Sequence, residues 1–314
     1  MSKNAQAPSI LKKWIIAARP WALPASTMPV VFGTSLAVVT GGARLDLLRF
    51  LLALLAMVVL HSAANMLSDV FDFRRGLDKD VTPVSGAIVR GWLSGKSVAA
   101  GSGVLFLAGI GFGLWLVALT GTVLLIIGLA GVTIGASYTL LKYHALGDSA
   151  VFLNFGLLGS LGAWVVQTKE FSWIPVIWTV PMAMLVIAIL HANNWRDTIS
   201  DAERRVKTFA SILGDRGSLV YYGFLIFGSM AIIFGLIFVP RFVSAGLPAM
   251  PWTFVVILFA LPRALHLWGR ARRRRNPRQP MDFIILDGAT AQYNWIFGVL
   301  CTVALWLEYF LKLG

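Results

Sequence analysis

Residues 47–72 read LLRFLLALLAMVVLHSAANMLSDVFD, an apolar run that ends in Asn65, Asp69 and Asp72. Runs of about 18 or more apolar residues are long enough to span a bilayer as a helix. Residues 174–201, IPVIWTVPMAMLVIAILHANNWRDTISD, end the same way, in Asn193, Asn194, Arg196, Asp197 and Asp201. If the first helix continues past Asn65, then Asn65, Asp69 and Asp72 share one face. Asp197 and Asp201 share a face in the same way, with Asn193 one turn earlier. Carboxylates at a membrane helix end are costly to desolvate, so they sit in a wet cavity, paired or holding a cation. Two such clusters facing each other make a divalent-metal site at the membrane surface.

Working outward, the chain holds nine such runs: 21–40, 47–68, 98–119, 122–141, 148–167, 174–195, 218–239, 252–269 and 291–311. The two acidic motifs follow the second and the sixth. That four-helix offset predicts two four-helix repeats related about the membrane normal, plus one further helix. The expected architecture is therefore an all-α, polytopic membrane protein of nine transmembrane helices, a single domain over 1–314. The first run is too long for the apolar core of a signal peptide and is followed by eight more.

Composition agrees. The chain is 58% hydrophobic and only 13% charged, where an ordinary soluble domain has about 25% charged residues. The net charge of +13 invites a nucleic-acid reading, but Lys and Arg cluster in alternate loops. One side of the expected topology carries only Arg44, Arg49, Lys169, Arg241 and Lys312 of the 27 basic residues. By the positive-inside rule the N-terminus faces the cytoplasm and the C-terminus lies outside, in the cytoplasmic (plasma) membrane. The Arg272–Arg275 run reads as an anchor against anionic lipid, and no nucleic-acid partner is expected. The lone Cys301 forms no intrachain disulfide.

Oxygen-only ligands without nearby His/Cys pairs favour a hard ion such as magnesium, which takes its remaining ligands from water and substrate phosphates. Two incomplete carboxylate clusters beside basic residues therefore suit a diphosphate, with Lys142, Lys207, Arg196 and Arg75 as candidate counter-charges. The plainer alternative is that Asn65 and Asp69 cap a helix end and pair with Arg74 or Arg75. Gly147-Asp148 brings one more carboxylate to the cavity or caps the fifth helix. His61 and His191 read as packing or hydrogen-bonding residues, and Arg19-Pro20-Trp21 as an interfacial helix start. Gly109, Gly111, Gly113, Gly156, Gly159 and Gly162 read as close helix packing. No nucleophile elbow or phosphate-cradling Gly-rich loop occurs, so covalent catalysis is not expected.

At these residues the chain resembles the UbiA-type intramembrane aromatic prenyltransferases. The matching stretches are Asn65-x-x-x-Asp69-x-x-Asp72 followed by Gly76-Leu77-Asp78, Tyr138-Thr139-Leu140-Leu141-Lys142 and Leu146-Gly147-Asp148. Asn194-x-Arg196-Asp197-x-x-x-Asp201, Lys207-Thr208 and Leu213-Gly214 complete the set. Within the superfamily the spacing is most similar to 1,4-dihydroxy-2-naphthoate polyprenyltransferases of menaquinone synthesis. The resemblance implies nine helices around a central cavity and magnesium-dependent transfer from a polyprenyl diphosphate to an aromatic acceptor. It implies that Asn65, Asp69, Asp72, Asp197 and Asp201 hold magnesium and the diphosphate, and that Lys142, Lys207 and Arg19 assist. Asp78, Asp148, Asn193, Asn194 and Arg196 are further candidates for substrate contact. Membrane lipid is the expected surrounding, and no obligate protein partner is expected. Two rivals remain. One is a cation-coupled transporter, which shares the repeat but should place its ion site near the bilayer midplane. The other is a UbiA-type enzyme acting on a 4-hydroxybenzoate, haem, chlorophyll or archaeal-lipid acceptor.

Overall fold

Backbone polar groups in a bilayer core have no water to bond, so each apolar run must satisfy its own amides as a helix. The computed structural model follows this throughout. It describes residues 8–76, 81, 86–203, 206–243, 246, 248–274 and 281–313. Ten helices carry the fold: α1 (Ile10–Ala18), α2 (Pro24–Val39), α3 (Leu47–Arg74), α4 (Gly95–Thr120), α5 (Thr122–Tyr143), α6 (Gly147–Thr168), α7 (Trp173–Arg196), α8 (Phe209–Phe242), α9 (Trp252–Arg272) and α10 (Leu286–Leu313). Helices α3 to α10 are each long and apolar enough to cross a membrane. The pair Ile10–Ala22 and Pro24–Val39, bent by 58°, is apolar and long enough to be a ninth if its two helices together form one broken span. Among the described residues there is no strand, only an isolated bridge between His144 and Lys207.

Several helix starts are set by side chains that accept from orphan amides. Asp46 accepts from Arg49 N at the head of α3, Ser94 caps α4, Ser172 caps α7, and Thr208 forms a capping box with Ser211 at α8. The two expected repeats are visible in the packing. Helix α3 packs most extensively on α4, and its counterpart α7 packs on α8. The equivalent helices α2 and α6 lie against each other, as a two-fold axis between them requires. The last helix, α10, has no counterpart and packs against α2, α7 and α9. Between these elements Phe32, Tyr222, Phe254 and Phe297 are buried, with the Phe254 ring edge-on to Phe32 and Trp178. Large apolar side chains such as Leu107, Ile126, Phe224 and Phe259 face outward, as a lipid-facing surface does.

Two boundaries differ from the sequence reading. Helix α7 stops at Arg196, Asp197 closes it, and a separate short helix, Thr198–Glu203, carries Asp201. Asp197 and Asp201 are therefore not on one continuous helix, although Asp201 N still bonds Asp197 O. Helix α8 begins nine residues before the expected 218 but breaks at Gly214, whose φ of 64° only glycine adopts readily.

The glycines divide into two kinds. A Cβ on Gly109 would strike Leu60, and one on Gly156 would strike Ala183, so these do serve close helix approach. Gly111 and Gly113 have open space instead, and Gly113, Gly159 and Gly162 line a chamber described below. For Gly111, Gly113 and Gly162 the packing reading is corrected: they leave room rather than bring helices together, whereas a Cβ on Gly159 would touch Pro29 and Met57 at 3.4 and 3.5 Å, so Gly159 keeps it.

Candidate active site

The first motif is carried on the last turns of α3, which runs unbroken to Arg74, so Asn65, Asp69 and Asp72 do share a face. Asp69 is almost fully buried, and its Oδ1 accepts from the Arg19 guanidinium at 3.0 Å. Asp72 accepts from Lys142 Nζ at 3.3 Å, from the Tyr143 hydroxyl at 2.8 Å and from Ser68 Oγ at 3.4 Å. The partners are thus Arg19 and Lys142. Arg75 lies instead over the Tyr143 ring, 4.2 Å from its centroid. Arg19 itself closes α1 in the left-handed region, φ 53°, a conformation unfavourable for a side-chain-bearing residue and often retained at functional positions. Asn65 Nδ2 donates to Ala18 O next to it, at 3.4 Å.

The second motif is braced differently. Arg196 forks onto Asp197 at 2.8 and 2.9 Å and also donates to Asp287 at 2.9 Å and to Ile284 O at 3.1 Å. Asn193 Nδ2 donates to the same Asp287 oxygen at 3.3 Å. Behind it, the Trp195 indole donates to Asp215, which Arg274 holds with two bonds of 2.7 and 2.6 Å. Asp197 is partly exposed and Asp201 is buried. The two motifs meet electrostatically at Lys142, which lies in the field of both Asp72 and Asp201.

Asn65 of the first motif and Asn193 of the second line one cavity of about 140 Å³ together with Arg19, Trp21, Ser68, Tyr138, Lys142 and Asp287. Asp69, Asp72, Asp197, Asp201 and Arg196 stand outside its lining and reach it only through the residues they pair with. The Arg19–Trp21 turn is therefore part of the cavity wall and not only an interfacial start. Next to this cavity lies an apolar chamber of about 300 Å³ between α3, α4, α5 and α6, and the two share Ala64, Gly135, Asn154 and Phe155 as lining. His61 also faces the polar cavity while its Nδ1 bonds Ser26 Oγ at 2.7 Å. His191 is fully buried.

Other expected residues lie elsewhere. Asp148 lines neither cavity; it is buried between helices, with Tyr221 as hydrogen-bond partner and His191 Nδ1 3.9 Å away. It makes no helix-cap bond either. Asn194 is buried and outside the cavity lining, with Oδ1 unpartnered among the described residues. Lys207 is exposed on a segment whose backbone pairs with His144, two residues past Lys142. Asp78 lies outside the described residues. The residue that sequence reasoning passed over is Asp287. The available signal was a carboxylate at the head of the last apolar run.

Among the described residues no three Asp, Glu, His or Cys side chains form a ready-made metal cage, and Asp69, Asp72 and Asp197 are each ion-paired, to Arg19, Lys142 and Arg196. One oxygen stands out. Asp69 Oδ2 is buried with no hydrogen-bond partner among the described residues, an expensive state for a carboxylate that a cation would relieve. Gly86 lies directly against this carboxylate, and a Cβ there would collide with both of its oxygens. Gly86→Ala is accordingly expected to displace Asp69 and lower kcat/KM by about tenfold to a hundredfold, since misplacement near 1 Å suffices for that. Steady-state kinetics check this, and an unchanged rate would mean that the loop yields instead.

A model described as the UbiA prenyltransferase family matches residues 26–286. The chain belongs to the UbiA prenyltransferase family. It is 32% identical over 301 residues to the 1,4-dihydroxy-2-naphthoate octaprenyltransferase of Bacillus subtilis (strain 168), covering 93% of this chain and 91% of the relative. It is equally, 32%, identical over 305 residues to the UbiA prenyltransferase domain-containing protein 1 homolog of Drosophila melanogaster, covering 94% and 79%. In fold it is similar to a UbiA homolog from Archaeoglobus fulgidus bound to GPP and Mg2+, with TM-score 0.62 at 14% identity over 93% of this chain and 99% of that one. A UbiA homolog from Aeropyrum pernix K1 has TM-score 0.57 at 15% identity, over 91% and 97%. As a member of this family the chain is a prenyltransferase built from membrane-spanning helices.

Proposed function

We propose that this prenyltransferase moves a polyprenyl group from its diphosphate to 1,4-dihydroxy-2-naphthoate, with magnesium as cofactor and loss of CO2. The observation that carries the reading is the adjacency of the two cavities. A pocket lined by Arg19 and Lys142 adjoins an apolar chamber, with four lining residues in common, an arrangement suited to a diphosphate head joined to an isoprenoid tail. The Bacillus subtilis relative supports the acceptor, and the Archaeoglobus fulgidus homolog's ligands support the donor and the metal.

Asn65, Asp69, Asp72, Asp197 and Asp201 would hold magnesium, and the unpartnered Asp69 Oδ2 fits that role. When bound, the ion supplies positive charge opposite the diphosphate oxygens. Arg19 and Lys142 bring further positive charge to the same pocket, so the leaving group is stabilised as its allylic C–O bond ionises. Arg196 and Lys207 would assist at the second motif. Tyr138, His61 and Phe155 line this pocket and would stabilise the allylic cation, and the apolar wall would exclude water that quenches it. The ring carbon that bears the carboxylate attacks the prenyl C1. CO2 then departs, and its bonding electrons restore the aromatic ring. No residue need bond to the substrate. We place the chain in the cytoplasmic membrane with the site and N-terminus inside and the C-terminus outside, on the distribution of Lys and Arg; a periplasm-specific reporter fused at Gly314 should be active.

The test is turnover by purified protein in detergent. Prenyl diphosphate and dihydroxynaphthoate should be consumed with magnesium, not with EDTA, and Asp197→Asn should lose most activity. Preference for 4-hydroxybenzoate, or full activity in EDTA, would overturn the acceptor or the metal respectively.

A further inference from the structure

Asn154 stands at the junction of the two cavities. Among the described residues it is the only one with a polar side chain in the lining of the larger chamber, and it also lines the smaller, cation-bearing one. It lies on Phe152–Leu158, where α6 widens into a π-helix, a local form that recurs at functional sites because it redirects side chains. Helix α5 presents glycine to it. A Cβ on Gly131 would lie 3.1 Å from Asn154 Oδ1, and one on Gly135 3.5 Å from Nδ2. The amide thus lies in space that two absent side chains leave open, and it makes no hydrogen bond to another described side chain or backbone group.

An amide facing an apolar chamber is tolerated while water can reach it. Once an isoprenoid tail fills the chamber, that water is gone and the group must find a partner on the substrate. The tail offers none. A hydroxylated aromatic ring at the junction does, because it must stand beside the prenyl C1, where the diphosphate pocket meets the chamber. Tyr138 and His61 line the same pocket and flank such a ring.

We infer that Asn154 hydrogen-bonds a ring oxygen of the aromatic acceptor and so determines which acceptor is used. This rests on the proposed prenyl transfer to a hydroxylated aromatic, though not on its being the naphthoate. Asn154 positions the ring; it forms and breaks no bond.

The test compares wild type with Asn154→Leu, which keeps the volume, and Asn154→Gln, which keeps the amide. Acceptors are 1,4-dihydroxy-2-naphthoate and 1-hydroxy-2-naphthoate, which lacks one hydroxyl. In wild type the dihydroxy compound should be favoured about tenfold in kcat/KM. Asn154→Leu should raise the KM for the dihydroxy acceptor about tenfold, leave the KM for prenyl diphosphate unchanged, and erase the preference. Asn154→Gln should regain part of it. Thermal stabilisation by prenyl diphosphate and magnesium, unchanged in Asn154→Leu, shows that the variant is folded and binds donor. If donor and acceptor constants moved together, or the preference survived in Asn154→Leu, Asn154 would be only chamber wall. If wild type instead prefers 4-hydroxybenzoate, the naphthoate assignment fails. The KM for 4-hydroxybenzoate in Asn154→Leu and Asn154→Gln, set against the KM for prenyl diphosphate, then decides the role of Asn154 separately: a rise confined to the acceptor supports it, and no rise overturns it.

Discussion

Asp69→Asn is expected to lower kcat/KM by about a hundredfold to a thousandfold, the range seen when one preorganised electrostatic contact to a reacting group is lost. The substitution keeps the shape and lets Arg19 still donate to the side-chain oxygen now 3.0 Å away. What it removes is the negative charge on a buried side chain whose second oxygen has no hydrogen-bond partner among the described residues. If that oxygen is reserved for metal, thermal stabilisation by magnesium plus prenyl diphosphate should disappear together with turnover. Stability without ligands should change little, because the asparagine oxygen still accepts from Arg19, the ion-pair partner of Asp69. A variant that turns over at the wild-type rate would remove Asp69 from the catalytic set.

Arg196→Leu should be the most destabilising single change in the site, by about 3 kcal/mol, the lower end of the range for breaking a buried pair by deleting one partner. The guanidinium serves Asp197, Asp287 and the Ile284 carbonyl together. Asp197 is more than a third exposed and recovers water, so most of the loss falls on Asp287. Thermal unfolding in detergent should show a clear drop in midpoint. Adding Asp287→Asn to Arg196→Leu should recover part of it by removing the stranded charge, a coupling that a double-mutant cycle reads directly. Arg196→Lys should fall in between, since a lysine cannot reproduce the forked geometry. An unchanged midpoint in Arg196→Leu would show that the network does not hold α7 to α10.

The spans were legible because nothing else in a chain produces such long apolar runs: the ends of α4 to α7 fall within a few residues of the hydropathy limits, while α3 runs on past its limit of 68 to Arg74. The first motif was legible in full, since a helix that continues to Arg74 puts Asn65, Asp69 and Asp72 in phase. The second was legible only in part. Hydropathy cannot show that α7 ends at Arg196 and that Asp201 belongs to another helix, because charged residues suit a helix end and a following turn equally. Asp287 was missed because its partners Arg196 and Asn193 lie 91 and 94 residues earlier, and no local spacing encodes that encounter. Asp148 could have faced either the cavity or a neighbouring helix. Its orientation toward Tyr221 and His191 depends on the phase at which α6 begins. Glycine was ambiguous for a related reason: one that touches a neighbour and one that borders a void look alike in sequence.

Gly113, Gly128 and Gly162 all border the apolar chamber, and a methyl group on any of them would enter space with no protein atom closer than 3.7 Å. The volume of that chamber is therefore written at separate codons and not in the spacing of the helices. A lineage could widen or shorten it one point mutation at a time, without disturbing how the bundle assembles.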